Sequence, residues 1–543
     1  MLRAALVQLS AFDIQQHTQA LEHAVAMVHQ AAEQKPDLVL LPECTYPSYY
    51  LGDHNAPGTM QEDLDNVMST FADLARKYRF HLAVGLPERE SDRLYNSAFL
   101  FGPQGEVVGK VRKSFLWHFD ARWFSGGDEF PVFDTALGKI GMLICADARL
   151  PEISRMLKLS GAEIILDPTN WVSSGGDRTK LTNPQFEYMV QTRALENRVW
   201  FLAANKIGLE RRSILFCGRS CIVAPSGERV LEASSDREEV LIYDINLGMS
   251  GHDEIVPGFS CIADRRPETY GLLTDSRTGY QNQDQSIAAA DIIPWLAVCV
   301  QSIGDNSADG AQIISVLGAR LAVFSSLDAM KANGITDPCR HAVEMGIALA
   351  VAQNGHEAVN GHGKRSAMLF LPDGRCETYH KVHGKADEHA LDNASGNALD
   401  SGGEQPGNTC ANPVFHTPLG KMAFILDEEG LIPEPARIAA LQGAELIIWI
   451  SEGLYPLHEK VARTRAAENC CFLAVCFQAE RHFHSGNMLI APNGTVLAMA
   501  LPGESQIIAG MINPALAHSK LIVPGTDVVA GRMPEKYTRL VEP

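Results

Sequence analysis

The chain repeats itself once, at long range. Gly138-Lys139-Ile140-Gly141 returns as Gly420-Lys421-Met422-Ala423, 282 residues later. Arg193-Ala194-Leu195-Glu196-Asn197 returns as Arg465-Ala466-Ala467-Glu468-Asn469, 272 later. Ala224-Pro225-Ser226-Gly227 and Arg266-Pro267-Glu268-Thr269-Tyr270 return as Ala491-Pro492-Asn493-Gly494 and Met533-Pro534-Glu535-Lys536-Tyr537, both 267 later. Four matches in one order, with shifts within 16 residues of each other, describe a duplicated domain. Solenoid repeats run at about 20–50 residues, so this period means two whole domains. With 543 residues the chain is also too long for one ordinary core. The polar run Thr278 to Gln285 reads as the linker, which places the domains at 1–280 and 286–543.

Each copy reads as a layered α/β fold. In the first half, short apolar runs at Ala4–Gln8, Leu38–Leu41, Leu82–Val84, Ala98–Phe101, Gly141–Ile144, Glu163–Leu166, Trp200–Ala203, Ile222–Ala224 and Val240–Tyr243 predict strands. Between them, His17–Glu33, Leu64–Lys77, Glu152–Leu159 and Pro184–Asn197 carry apolar residues at helical spacing. Asn183-Pro184 is a helix start, with Asn as cap and Pro in the first turn. Strand-helix alternation of this kind indicates sheets covered by helices.

Composition narrows the partners. Hydrophobic residues are 46% and charged residues 20%, the balance of a folded globular protein. A formal charge of −19 lacks the basic stripes that phosphate backbones need, which argues against nucleic acid. The most apolar stretch, Ile287 to Val300, is broken by Asp291 and Pro294, so no membrane span is expected. The start MLRAALVQLSAFD reads as a core strand rather than a secretory leader, and the expected location is the cytoplasm. The twelve cysteines have no zinc-like spacing, and most read as small buried hydrophobes.

Cys145 has a different context. The apolar strand Ile140-Gly141-Met142-Leu143-Ile144 runs straight into it, and Pro151-Glu152 then starts a helix. A thiol between a strand end and a helix start lies beside unpaired backbone N–H groups and a positive helix terminus. Both favour the thiolate, and the same N–H groups can hold an oxyanion. The strand Leu38-Val39-Leu40-Leu41 likewise ends in Pro42-Glu43, and Lys113 precedes the aromatic cluster Phe115-Leu116-Trp117-His118-Phe119. Taken singly, Glu43 also reads as a helix-capping acid, Lys113 as a surface charge and Cys145 as a core filler.

Together these motifs resemble the nitrilase superfamily of carbon–nitrogen hydrolases, whose triad is Glu, Lys and Cys. The resemblance runs over nearly all of residues 1–280 and more loosely over 286–543. It includes Ala5-Leu6-Val7-Gln8, Leu40-Leu41-Pro42-Glu43, Arg112-Lys113, Cys145-Ala146-Asp147-Ala148-Arg149-Leu150-Pro151-Glu152, Arg193–Asn197 and Arg265-Arg266-Pro267-Glu268-Thr269-Tyr270. It implies an α/β fold of αββα four-layer sandwiches, the two copies packed as an intramolecular pseudo-dimer, with further homo-oligomers left open. It implies Cys145 as nucleophile, Glu43 as base and Lys113 with the Ala146 N–H as oxyanion partners, with no metal or organic cofactor. Relatives often carry a second glutamate eight residues after the lysine. Here that residue is Ala121, and Asp120 is the candidate substitute.

Cys-Trp-Glu, the nitrile-cleaving signature, is missing. Cys145-x-Asp147-x-Arg149 looks more like amidases and N-carbamoyl amino acid hydrolases, in which an arginine four residues after the nucleophile grips a substrate carboxylate. Arg149 holds that position, the competing reading being an ion pair with Glu152 or Asp147. Trp117 and Trp171 are expected to line the pocket. The expected substrate is a small amide or carbamoyl compound. Nitrile hydrolysis, acyl transfer through the same thioester, and a non-catalytic binding protein are the alternatives.

The second copy has a different set of residues at the catalytic positions. Glu43 aligns with Ser326 and Cys145 with Asp427, while Lys113 persists as Lys381. Asp427 and Lys381 are expected to pair where the triad would be. The Gly/Asn/Asp-rich stretch His383–Asn412 accounts for extra length and reads as a mobile loop.

Overall fold

The computed structural model describes residues 1–52, 59–173, 177–276, 293–302, 309–353, 365–384, 413–453, 455–478 and 485–543, with backbone only at 59–62. The expected linker, part of Ser173–Asp177 and residues 385–412 of the Gly/Asn/Asp-rich stretch lie outside the described residues.

In the first half the strands are β1 (Leu2–Ser10), β2 (Leu38–Leu40), β3 (His81–Glu90), β4 (Arg93–Phe101), β5 (Val107–Arg112), β6 (Val132–Thr135) and β7 (Gly138–Met142). They continue with β8 (Ile164–Pro168), β9 (Trp200–Ala204), β10 (Lys206–Glu210), β11 (Ile214–Cys217), β12 (Cys221–Val223), β13 (Arg229–Glu232) and β14 (Glu239–Ile245). One sheet has the order β11-β10-β1-β2-β3-β4-β5, with β14 also on β1, and the other β13-β12-β9-β8-β7-β6. The central strands β1, β2 and β3 are parallel, as are β7, β8 and β9.

Alternation along β1 shows how the layers form. Ala5, Val7 and Leu9 pack with Ala24, Met27, Val28 and Ala31 of α1 (His17–Ala32) and Val67 and Phe71 of α2 (Thr59–Tyr78). The alternate face turns to the second sheet, where Gln8 Oε1 accepts from the backbone N–H of Ser220 at 3.0 Å. On the second sheet lie α3 (Pro151–Leu159) and α4 (Val190–Asn197), every residue of α4 being buried. The expected helix Pro184–Asn197 opens with a π turn at Gln185–Met189 before α4. The strand expected over Gly141–Ile144 ends at Met142, since the chain is already turning toward Cys145.

A hairpin of β15 (Glu254–Val256) and β16 (Phe259–Ser260) follows. The second half then repeats the pattern. Its strands are β17 (Trp295–Gln301), β18 (Leu321–Phe324), β19 (Ala348–Gln353), β20 (Ser366–Phe370), β21 (Cys376–His380) and β22 (Phe415–Thr417). They end with β23 (Gly420–Leu426), β24 (Leu446–Ser451), β25 (Phe472–Phe477), β26 (Met488–Ile490), β27 (Val496–Met499) and β28 (Gln506–Ile512). The sheets are β21-β20-β19-β18-β17-β28 and β22-β23-β24-β25-β26-β27. Ala297, Cys299, Leu321 and Val323 share a core with Phe424, Leu446, Ile448 and Phe472 from the facing sheet. Val298, Val300, Ala322 and Phe324 face the helices α5 (Gly310–Val316), α6 (Leu327–Ala332) and α7 (Pro338–Met345) instead. Helix, sheet, sheet and helix therefore stack in each half.

Compact units cut across the repeat. The first comprises residues 1–253 with 523–526 and 531–540; the second comprises 254–522 with 527–530 and 541–543. Each unit is thus completed by closing-tail residues that belong in sequence to the other copy. In the first, buried Arg532 Nε lies 2.7 Å from Glu152 Oε1 at the start of α3. In the second, buried Arg265 Nε lies 3.1 Å from Glu434 Oε1 in the helix Glu434–Leu441.

Candidate active site

Three chain reversals converge at the C-terminal ends of the parallel strands of the first unit. β2 delivers Pro42-Glu43, the end of β5 delivers Lys113, and the end of β7 delivers Cys145. Glu43 is held close to β3 by Gly85. A Cβ there would come within 2.5 Å of the Glu43 Cα, so no other residue lets the two backbones approach this closely.

Glu43, Lys113 and Asp120 are fully buried. Lys113 Nζ lies 2.8 Å from Glu43 Oε1 and 2.6 Å from Asp120 Oδ2. Asn96 Nδ2 donates to the same Glu43 Oε1 at 2.7 Å, and Asn170 Nδ2 donates to the Glu43 backbone oxygen at 3.0 Å. A dehydrated ammonium is costly unless paired, and here two carboxylates hold one lysine. Burial works against the Lys113 charge, but Asp120, Glu43 and Cys145 prevail and raise its pKa well above that of a free lysine.

Cys145 is buried and takes a left-handed conformation, φ 51°, in a tight turn over Cys145–Arg149. The turn is fastened from several sides. Asp147 Oδ1 accepts from the N–H groups of Phe115 at 2.7 Å and Ser114 at 3.1 Å, while its Oδ2 accepts from Ile144 N at 3.0 Å. Burial pushes the Asp147 carboxyl up to about 6 against those donors. From α4, Arg193 donates to the backbone oxygens of Ala148 at 2.8 Å and Arg149 at 3.0 Å, and pairs with Glu196 at 2.6 Å.

The strand-to-helix position favours the thiolate, and burial opposes it. Burial and the neighbouring Glu43 raise the Cys145 thiol pKa well above its ordinary value, with Lys113 opposing. The helix α3 begins only at Pro151, too far to outweigh that cost. Nor is the Cys145 N–H open to an oxyanion, because it donates to Asp167 Oδ1 at 2.6 Å. A buried thiol near the Glu43 carboxylate is the arrangement present.

Of the other expected residues, Asp120 lies on Lys113, and Ala146 is buried in the turn. The Arg149 guanidinium sits 4.6 Å from the centre of the Trp117 ring, and its Nε donates to Gln185 Oε1 at 3.1 Å. Gln185 Nε2 in turn donates to the Cys145 backbone oxygen at 2.9 Å. Trp171 is buried one residue after Asn170 and packs against Phe186. Asn96, Asn170, Asp167 and Gln185 were not expected from the sequence. Asn96 interrupts the apolar run of β4 and Asn170 follows the end of β8, the only signals either one carries. Among the described residues no group of histidines, cysteines and carboxylates is arranged to hold a metal ion.

The carbon-nitrogen hydrolase model matches residues 3–253 and again 329–519. The chain belongs to the carbon–nitrogen hydrolase family. It is an enzyme family of C–N bond hydrolases, present here in two copies. The chain is 32% identical to a nitrilase of Pyrococcus abyssi, over 50% of this chain and 99% of that protein. It is 31% identical to an omega-amidase of Xenopus tropicalis, over 45% of this chain and 88% of that protein. The crystal structure of an amidase from Nesterenkonia sp. covers 46% of this chain and 92% of its own, with 26% identity and a TM-score of 0.41.

At the equivalent place in the second unit, Ser326 caps α6, Asp427 again has a left-handed conformation, φ 50°, and Lys381 Nζ lies 3.4 Å from Asp427 Oδ2 and 2.8 Å from Glu428 Oε2. The expected Asp427–Lys381 pair is therefore formed.

Proposed function

We propose that the first copy hydrolyses a small amide or N-carbamoyl compound through a Cys145 thioester, and that the second copy is not catalytic. The observation that carries this reading is one buried cluster of nucleophile, base and fixed cation: Cys145 on its strained turn beside Glu43, itself 2.8 Å from Lys113.

The chemistry follows from the charges. Cys145 Sγ attacks the carbonyl carbon while its proton passes to Glu43, since the buried thiol does not ionise unaided. The oxygen becomes an oxyanion beside Lys113 Nζ and the Ala146 N–H, dipoles and charge that are in place before reaction. Collapse breaks the C–N bond, Glu43 returns the proton to the leaving nitrogen, and an acyl-thioester remains. Glu43 then takes a proton from water as its oxygen attacks the thioester; collapse breaks the C–S bond, the proton on Glu43 returns to Cys145 Sγ, and the carboxylic acid leaves. Asp120 is a second carboxylate on Lys113 Nζ, at 2.6 Å, beside Glu43 at 2.8 Å. It thereby supplies the fourth role that a second glutamate fills in many relatives.

Arg149 fits a carboxylate-bearing substrate, with its fork over Trp117 and tied to the Cys145 backbone through Gln185. Similarity to a protein named omega-amidase supports the amide reading, and similarity to one named nitrilase keeps nitriles as the second substrate class. Ammonia release from matched amides, N-carbamoyl acids and nitriles decides between them. Amides or carbamoyl acids are expected to be cleaved fastest, and Arg149→Lys is expected to raise KM for acidic substrates more than for neutral ones. Nitriles as the best substrates would overturn the assignment.

A further inference from the structure

In the second unit a cavity of about 300 Å3 opens at the C-terminal ends of β18, β19, β24 and β25. That is the lower end of the size range of small-molecule sites, and strand C-terminal ends are where open α/β sheets bind ligands. Three substitutions between the copies shape it. Glu43 is replaced by the shorter Ser326, which widens the floor. Asn96 is replaced by Arg365 and Asn170 by Glu452, so two neutral amides become one cation and one anion on the same cavity wall.

Arg365 has a side chain only 10% exposed, with Nη1 3.1 Å from Asp427 Oδ1 and 2.6 Å from Glu452 Oε1. Neither its buried Nε nor its Nη1 makes a hydrogen bond among the described residues, the two carboxylate contacts being ion pairs alone, which leaves charged donors in want of an acceptor. Glu452 is 58% exposed, so its bond to Arg365 is worth little and exchanges readily for another cation. Asp427 stays paired with Lys381 below. The remaining wall is Ser325, Gln353 and Gln478, a second pair of charges in Lys331 and Asp328 that lie 3.4 Å apart, and Leu327 and Ala352 as its apolar members.

We propose that this cavity binds a small zwitterion, a free α-amino acid, with its carboxylate on Arg365 and its ammonium on Glu452. A carboxylate alone would meet Glu452 and Asp328, and an ammonium alone would meet Arg365 and Lys331. A ligand with both charges satisfies the two sides together. The second copy is then a ligand-binding domain on a catalytic scaffold, a conclusion that stands apart from the mechanism of the first copy.

The test is calorimetric titration of the full-length protein with L-alanine, which has no amide to cleave, beside propionate, propylamine and propionamide. L-Alanine is expected to bind at one site per chain, with each singly charged probe at least about tenfold weaker. Arg365→Lys keeps the charge and the pair with Asp427 but loses the Nε donor, and is expected to weaken L-alanine about tenfold or more. Ser326→Trp fills the cavity and is expected to abolish binding. Thermal melts of both variants verify that they fold. No binding of L-alanine up to about 10 mM would overturn the proposal. So would unchanged affinity in both variants, which would place the ligand elsewhere. Propionamide binding as tightly as L-alanine would also overturn it, by showing a neutral-amide site.

Discussion

The two copies keep the same scaffold contacts and differ where substrate would be. Gln8 in the first and Gln301 in the second both tie their first strand to the facing sheet, through Ser220 and Asn487. Asp147 and Glu429 each collect the backbone N–H groups around the turn, and Arg193 and Arg465 each grip two carbonyl oxygens of that turn. Even the left-handed residue is kept, as Cys145 and as Asp427. The buried lysine persists too, but its counter-charges have moved. Lys113 is neutralised by Glu43 and Asp120, whereas Lys381 is neutralised by Asp427 and Glu428. An unpaired buried ammonium costs several kcal/mol, so loss of the glutamate at position 326 required a replacement anion. The carboxylate that replaced the thiol supplies it. The differences at the positions of Glu43 and Cys145 are thus coupled through the charge on the lysine.

The largest expected contrast is in turnover. Cys145→Ala, Glu43→Ala and Lys113→Ala should each lower kcat/KM by about a thousandfold or more, and double variants should lose little beyond that, because the three act as a unit. Ser326→Ala and Asp427→Ala should leave kcat/KM within about threefold. Asp427→Cys should create no second active site, because Ser326 offers no base. Steady-state assays of purified full-length variants check all of these, and activity gained by Asp427→Cys would break the comparison.

A second contrast concerns the exchanged tails. Arg532→Met removes one partner of a buried ion pair in the first unit, and Arg265→Met does the same in the second. Each should cost about 3 kcal/mol in urea unfolding. Only the first should carry activity down with it at intermediate urea. Equal loss of activity from both would mean that the units do not unfold separately.

Much of this was legible before the structure. Glu43 and Cys145 each follow an apolar strand, so parallel strand order brings them to one end, whereas Lys113 follows a charged edge strand and is marked only by the aromatic cluster after it; the duplication survives in turn and helix motifs. Asp120 is in sequence only a candidate beside the position of a missing acid, and its ion pair with Lys113 emerges in the fold. Asn96 and Asn170 could not, since a lone amide at a strand end has no period or partner in sequence. The pairing of Glu152 with Arg532 spans 380 residues and depends on how the tails are exchanged, which local pattern does not encode. The helper field at Cys145 is opposed by a property that the sequence does not display. Position at a strand-helix junction suggests a helper field, while burial, which raises the thiol pKa, is a tertiary property.

The smallest contrast is a pH response. His458 aligns with Phe186, stacks on Trp449 at 4.5 Å and is buried, which pulls its pKa down to about 3. A histidine whose folded pKa lies below its unfolded value stabilises fully above about pH 6.5, and that stability is lost as pH falls toward 3. At pH 5 the loss amounts to about 2 kcal/mol. His458→Phe should flatten the acid side of the urea midpoint for the second unit and leave the first unit unchanged. An unaltered profile would remove His458 as the source.

Mass analysis of a trapped acyl-enzyme bears most directly on where the chemistry occurs. The full-length protein, incubated with a good small amide and acid-quenched during turnover, should gain the mass of one acyl group. Peptide mapping should place that group on Cys145, with none on the peptide containing Asp427 and none at all in Cys145→Ala. An acyl group on any other residue, or undiminished turnover by Cys145→Ala, would contradict a single thioester site in the first copy.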